Sequence, residues 1–325
     1  MSAELHTLSL PSQHGDVQDP FPLVIDGSAV TAMSGVADWV QARRDALADR
    51  LAVHGAVLFR GLPIGSIDDF DAFIRTFELP NFQYKDSLSN AVRVNKTERV
   101  FTANEAPPEV EIFMHHEMAQ TPVYPSQLFF YCDKPSEVAG FTPICRSDLL
   151  WQRIVSDYPD FADMARKHGL HYTNVMPADD DARSGQGRSW KSTFFADSVA
   201  AAEARMSELG YTWEWQADGS LKATTPRLEA VRTLSDGSQS FFNQLIAAFK
   251  GWKDTRNDPS KAITFGDGTP MPTETVLAIC DLADDMAFDI PWQAGDVALL
   301  DNYRVMHGRR PFEGTRRVLA SLVAA

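Results

Sequence analysis

At 325 residues the chain is long enough for one large domain or two small ones; roughly 75% of its unfolded surface can be buried, so it needs no covalent staples to fold. Hydrophobic residues at 44%, charged at 23% and aromatic at 10% exclude a mainly disordered or fibrous chain. With 44 acidic against 30 basic side chains the net charge is -14 and the pI about 5.0, which opposes nonspecific attraction to nucleic acid or anionic membranes and favours small-molecule or protein partners.

Three cysteines, Cys132, Cys145 and Cys280, are too few for a disulfide framework and fit a reducing compartment. The opening residues lack a basic segment followed by an apolar one, and no run of about 18 apolar residues occurs, so a cytoplasmic protein without a membrane span is expected.

Residues 1–34 read as an irregular arm with an extended piece at Phe21–Ile25. Val36, Val40, Leu47 and Leu51 then recur on one helical face, with Gly55 as the stop. Ala56–Phe59 predicts a short strand. Ser66 to Asp69 caps a second helix whose stripe is Phe70, Phe73, Ile74 and Phe77. Short strands follow at Val92–Val94, Ile112–Met114 and Gln127–Cys132. A helix over Ser147–His168 is interrupted near Pro159, and another runs from Ser198 to Leu209. Tyr211, Trp213 and Trp215 alternate into a hairpin at Asp218-Gly219 that returns at Leu221, and Ser235–Ser238 marks a turn. Thr273–Met286 predicts a helix, and Val297–Leu300, Tyr303–His307 and Val318–Val323 predict closing strands. No linker separates the strand clusters, so one domain over residues 1–325 is expected. It comprises an N-terminal α/β part (about 1–90), core strands (about 91–146 and 211–325) and helical or loop insertions covering the site (about 147–210 and 245–290).

The strongest chemical signal is Phe113-Met-His115-His116-Glu117 at a strand end. Residues i and i+2 of a strand share a face, so His115 and Glu117 can approach one metal while His116 points away. His6, His14, His54, His168 and His171 sit in the arm or at helix ends and read as structural. His307 differs, because it lies just before the last strand, in Met306-His-Gly-Arg-Arg-Pro-Phe312. Two ligands from one strand and one from a distant strand make the 2-His-1-carboxylate set of non-heme iron(II) oxygenases, which leaves three metal positions open.

His115-His-Glu-Met-Ala-Gln-Thr, Pro125-Ser-Gln-Leu-Phe-Phe-Tyr-Cys132, Gly140-Phe-Thr-Pro-Ile144 and His307-Gly-Arg-Arg-Pro-Phe-Glu-Gly-Thr-Arg-Arg-Val-Leu319 together resemble the taurine dioxygenase and clavaminate synthase superfamily of iron(II)/2-oxoglutarate-dependent oxygenases. Arg188-Ser-Trp-Lys-Ser-Thr-Phe194 and Phe265-Gly-Asp-Gly268 resemble its clavaminate-synthase-like branch. The resemblance implies a mainly β, α+β fold: a double-stranded β-helix, or jelly roll, carrying helical insertions. It implies Fe(II) held by His115, Glu117 and His307, with 2-oxoglutarate and O2 as co-substrates. Thr142, 27 residues beyond His115, matches the threonine that bonds the distal carboxylate of 2-oxoglutarate, and Arg317 matches its ionic partner. A guanidinium presents two parallel donors to a carboxylate and stays charged when buried. Arg316 is the alternative, since only one of two adjacent residues on a strand can point inward.

Two departures from the family pattern stand out. Position 321, four residues after Arg317, is Ser rather than the second arginine that grips sulfonate or carboxylate substrates. Position 141 is Phe where many relatives have an acid. With the net charge, the first departure leads to an expected substrate that is zwitterionic or cationic, such as an amino-acid derivative. Lys191, on the insertion, and Asn243, on an expected core strand, are candidate substrate contacts. Gly185-Gln-Gly-Arg188 and Gly266-Asp-Gly268 read as turns, not phosphate loops.

The resemblance implies hydroxylation of a C–H bond coupled to conversion of 2-oxoglutarate into succinate and CO2, with desaturation, epoxidation or cyclisation as alternatives on the same residues. Halogenating members lack the carboxylate ligand that Glu117 supplies here. Rivals of other classes are a zinc hydrolase on the same His/Glu/His set and a non-catalytic jelly-roll binding protein.

Overall fold

The computed structural model describes residues 4–15, 19–83, 87–89, 93–103, 106–181, 184, 187–252, 256–258 and 261–324. Two sheets carry the architecture. The larger has seven strands in the order Thr7–Leu8, Leu23–Asp26, Ala56–Arg60, Val297–Asp301, Gln127–Lys134, Arg317–Val323 and Phe101–Thr102. The smaller has four, in the order Phe288–Ile290, Thr142–Arg146, Val305–Arg309 and Ile112–His115. All pairings in these sheets are antiparallel except Leu23–Asp26 with Ala56–Arg60.

Alternation along the central strands divides the core. Phe129, Tyr131, Val297, Leu299 and Leu319 face one cluster, beneath the helices at Val36–Gln41, Arg44–His54 and Ile67–Arg75. Leu128, Phe130, Ala298, Leu300, Val318 and Ala320 face the other way and meet Ile144, Phe288, Ile290 and Val305 of the small sheet. The two sheets therefore pack on each other through the second cluster, and every side chain's parity decides whether it reaches the space between them.

The Ile67–Arg75 helix is fixed by its cap. The Ser66 hydroxyl accepts the Asp69 amide at 3.1 Å and donates to the Asp69 carboxylate at 2.8 Å. Its Phe70 stacks on Tyr131, centroids 5.0 Å apart, while Phe73 and Phe77 meet Phe59 and Phe129 edge to face. Gly55 ends the preceding helix at φ 75°, and a Cβ there would lie 2.7 Å from Val305 Cγ2, so this position needs glycine for conformation and for space.

Several expectations are corrected. The single helix through Val36 and Leu51 is two, because the Arg43 amide bonds Val40 O and its guanidinium takes Trp39 O, the carbonyl that a continuing helix would have used. Tyr303 and Arg304 form a turn closed on Asp301, so that strand begins at Val305. Val94 is not in a strand, and Val92 and Gly185 lie outside the described residues. A third sheet, Thr212–Trp215, Leu221–Thr224, Leu170–Met176 and Ile263–Phe265, contains the expected tryptophan hairpin. The three cysteines are free and buried. Among the described residues no helix is long and apolar enough to cross a membrane.

Candidate metal centre

The paired small-sheet strands Ile112–His115 and Val305–Arg309 set the centre. His307 lies opposite His115 in the ladder, and the register shifts before Arg309 meets Ile112. Gly308 sits at that irregularity, where a Cβ would come 2.5 Å from the Ile112 carbonyl oxygen, so a side chain would force the two ligand-bearing strands apart. Glu117 follows two residues after the strand end. His115, Glu117 and His307 offer ligand atoms that all lie within 4.8 Å of one another, the one such group among the described residues. The two imidazole centroids are 4.4 Å apart, and His307 Nε2 is 3.4 Å from Glu117 Oε2.

Hydrogen bonding prepares these groups for a metal. His115 Nδ1 donates to Phe113 O at 2.8 Å, which fixes the tautomer and leaves the Nε2 lone pair for a ligand bond. His307 Nδ1 is buried and meets no hydrogen-bond partner among the described residues. Two imidazoles and a carboxylate that converge here, with His307 Nε2 turned to the Glu117 carboxylate, fit a divalent cation well. Burial, and then the neighbouring His307, push the His115 pKa down to about 4, so at neutral pH its lone pair is available. Burial opposes ionisation of Glu117, but the Arg93 charge and His307 outweigh it and hold the carboxyl well below the usual range.

Arg93 was not singled out from sequence. Its side chain is 7% exposed and that of Glu117 3%, and Arg93 Nη2 reaches both carboxylate oxygens, at 2.9 and 3.2 Å. The only signal was a charged residue between Val92 and Val94 in an expected apolar strand. Asn302 was likewise missed. Its Oδ1 accepts the Glu117 amide at 2.8 Å, and its Nδ2 donates to Glu117 O at 3.0 Å and Pro125 O at 2.7 Å. The turn that precedes the His307 strand thus grips the backbone of the other ligand segment. His116 points away from the ligands: its Nδ1 donates to Asn302 O and its Nε2 accepts from Ser147 Oγ at 2.6 Å. Both its ring nitrogens are engaged.

A cavity of about 50 Å³ adjoins the ligands, lined by His115, His307, Arg93, Phe130, Thr142 and Arg316 among others. Thr142 Oγ1 accepts from Arg316 Nη2 at 3.1 Å and from Trp292 Nε1 at 2.9 Å. Arg316 Nε donates to Gly140 O at 2.8 Å. The expectation for Arg317 is corrected here. Arg316 shares parity with Val318 and Ala320, which face the inter-sheet core, whereas the Arg317 side chain is 62% exposed and bonds Asp133 on the outer side. The ladder register shifts between Arg317 and Val318, leaving Asp133 out of the pairing. Counted from Arg316, the fourth residue on is Ala320, so this strand carries no second arginine in either register.

Lys191 and Asn243 do not reach the cavity. Lys191 lies in the short helix Trp190–Phe194 with its side chain 43% exposed and paired with Asp179 at 3.0 Å. Asn243 is not on a strand. Its Oδ1 accepts the Leu245 amide at the start of the Leu245–Gly251 helix, and its Nδ2 donates to Ala230 O, both at 2.9 Å. Phe141 is at the surface.

Residues 32–323 match the model of the taurine catabolism dioxygenase TauD, TfdA family. A clavaminate synthase-like protein of Arabidopsis thaliana is 40% identical over 320 residues, 96% of this chain and 96% of that protein. The dapdiamide synthesis protein DdaC of Enterobacter agglomerans is 26% identical over 292 residues, 84% of this chain and 83% of that protein. Among solved structures, AAD-2 in complex with Mn(II) and N-oxalylglycine aligns with a TM-score of 0.54 and 11% identity over 99% of this chain and 98% of that one, a likeness of fold.

Proposed function

The chain belongs to the taurine catabolism dioxygenase TauD, TfdA family of iron(II)- and 2-oxoglutarate-dependent oxygenases, and from that premise we propose that it hydroxylates an unactivated C–H bond of a small molecule such as an amino-acid derivative. In this reading the two packed sheets are the double-stranded β-helix of one oxygenase domain, with the other helices and sheet as insertions. The observation that carries the proposal is a single cavity that joins His115 and His307 at one side to Thr142 and Arg316 at another.

His115, Glu117 and His307 would hold iron(II) on one face. Bound together there, iron(II) and 2-oxoglutarate supply activation of O2 coupled to decarboxylation of the oxo acid to succinate and CO2. Arg316, with Thr142 as a hydroxyl donor, would take the distal carboxylate, because a half-buried guanidinium whose described partners are neutral still favours an anion. Arg93, bonded to both oxygens of the Glu117 carboxylate, fixes its orientation and keeps it ionised. Phe130, whose ring centroid is 5.0 Å from that of His307, walls the site with apolar surface and limits water there.

Glu117 favours oxygen insertion over halogenation, because its charge would oppose a halide at the same metal. A zinc hydrolase gives Arg316 and Thr142 no role, and an inert binding protein would form no succinate. The test is mass spectrometry of the product formed from amino-acid derivatives in excess chloride with iron(II), 2-oxoglutarate and O2. A product heavier by one oxygen supports the reading, and a chlorinated main product overturns it.

A further inference from the structure

Next to the metal-centre cavity lies a second, wider cleft of about 480 Å³, and the two share Ala103, Arg309, Arg316 and Val318 as a common wall. Lys96, Lys134, Arg309, Arg316 and Arg317 line the wider cleft, and no acidic residue lines it among the described residues. On a chain of net charge -14 such a concentration of one sign runs against the average surface.

Part of this charge is neutralised by neighbouring carboxylates and part is not. Arg317 is paired with Asp133, and Lys134 with Glu137 at 3.4 Å. Lys96 makes no ion pair among the described residues. Arg309 is held in place by the carbonyls of Ala106, Pro107 and Val110, and Arg316 donates to Gly140 O and Thr142 Oγ1, which bring it no negative charge. Burial and the nearby Arg309 charge push the Arg316 pKa down to about 10. Two guanidinium groups repelling each other in a partly dehydrated wall are best relieved by an anion.

We infer that this cleft is an anion-binding vestibule, which draws a carboxylate or phosphate-like group from solvent and holds it against Lys96, Lys134 and the outer side of the Arg309–Arg316 wall. A concave surface of one sign focuses its field and raises the local concentration of the opposite ion, whatever the net charge of the whole chain. The inference rests on the proposed oxygenase reading and refines the substrate expected there: a zwitterion can dock its carboxylate in the cleft, and a purely cationic molecule is disfavoured. The anion has two sources, the 2-oxoglutarate dianion on its way to Arg316 or an acidic group of the organic substrate.

The test uses the full-length protein and its Lys96→Glu/Lys134→Glu variant. Both lysines are exposed, so the variant keeps its fold, which circular dichroism verifies. In the first arm, iron(II)-loaded protein is mixed without O2 with 2-oxoglutarate, and the visible charge-transfer band is followed by stopped flow at low and high salt. If the cleft captures the co-substrate, the variant's association rate falls about tenfold with an unchanged dissociation rate, and the salt dependence of the wild type disappears. In the second arm, inorganic phosphate is titrated into protein already saturated with 2-oxoglutarate and followed by phosphorus NMR line width. If the cleft holds a substrate group, the wild type broadens the line and the variant does not. A variant that equals the wild type in both arms overturns the vestibule. A wild type without any charge-transfer band counts against the oxygenase reading instead, and the phosphate arm, run without 2-oxoglutarate, still decides the cleft.

Discussion

The ligand end of the small sheet and the region around the third sheet use polar groups in different ways. At the ligand end, His115, His307 and Arg316 line a cavity; strand pairing holds the two histidine backbones, Asn302 grips the Glu117 backbone, and Gly140 O fixes the Arg316 side chain. In the other region, polar groups turn back on their own chain. Arg188 donates to the carbonyls of Ser87, Ser89 and Ser192, and Lys191 closes on Asp179. Side chains whose hydrogen bonds are consumed locally hold a shape, whereas those held by the scaffold and aimed at a cavity are available for a ligand.

That contrast can be broken most sharply at the metal. His115→Ala and His307→Ala should each abolish stoichiometric iron(II) binding, together with the charge-transfer band seen with 2-oxoglutarate. Metal analysis that finds wild-type iron in both would show that these groups do not act as ligands.

The two adjacent arginines sharpen the comparison next. Arg316→Ala should weaken 2-oxoglutarate binding by about 2 to 5 kcal/mol, as expected on removing one partner of a desolvated charge pair. Arg317→Ala removes only an exposed pair and should cost under about 1 kcal/mol. Anaerobic titration of both variants ranks them, and the reverse order would mean that the inward parity of the final strand is wrong.

These arginines also mark the limit of what the sequence discloses. Apolar alternation at Gln127–Cys132, Val297–Leu300 and Val318–Val323 announces strands and their inner faces, because one face of each is buried. The parity of the residues just before a strand is harder to read: Arg316 and Arg317 sit outside the apolar run, next to a register shift that only the partner strand reveals. His115, Glu117 and His307 stand out because strand spacing and their chemistry agree. Arg93 and Asn302 do not, since each acts across a long stretch of chain, on a carboxylate 24 residues away and on a backbone 185 residues away. Asn243 misled for a related reason: a polar residue among Phe241, Phe242 and Leu245 looks like a site residue, yet it caps a helix inside the core.

A smaller effect is expected behind the site. Asn302→Ala strips the Glu117 amide of its acceptor in a buried place, so it should destabilise the fold by about 1 to 3 kcal/mol. Its iron affinity should fall as well, because the ligand backbone is no longer gripped. Urea denaturation and metal titration of the one variant measure both, and wild-type values in each would make the clamp incidental.

The smallest effect belongs to the other region. Lys191→Ala removes an exposed lysine and should change stability by less than about 0.5 kcal/mol, leaving 2-oxoglutarate affinity unchanged. A marked loss of co-substrate binding there would erase the distinction between the two regions.

The most direct measurement is of succinate. Purified protein with iron(II), 2-oxoglutarate and O2 should release succinate in step with the 2-oxoglutarate consumed, and the conversion should require iron and vanish in His307→Ala. Wild-type protein that binds iron but forms no succinate with or without candidate substrates, or that works equally well with zinc and no O2, would contradict the assignment of this cavity to oxygenase chemistry.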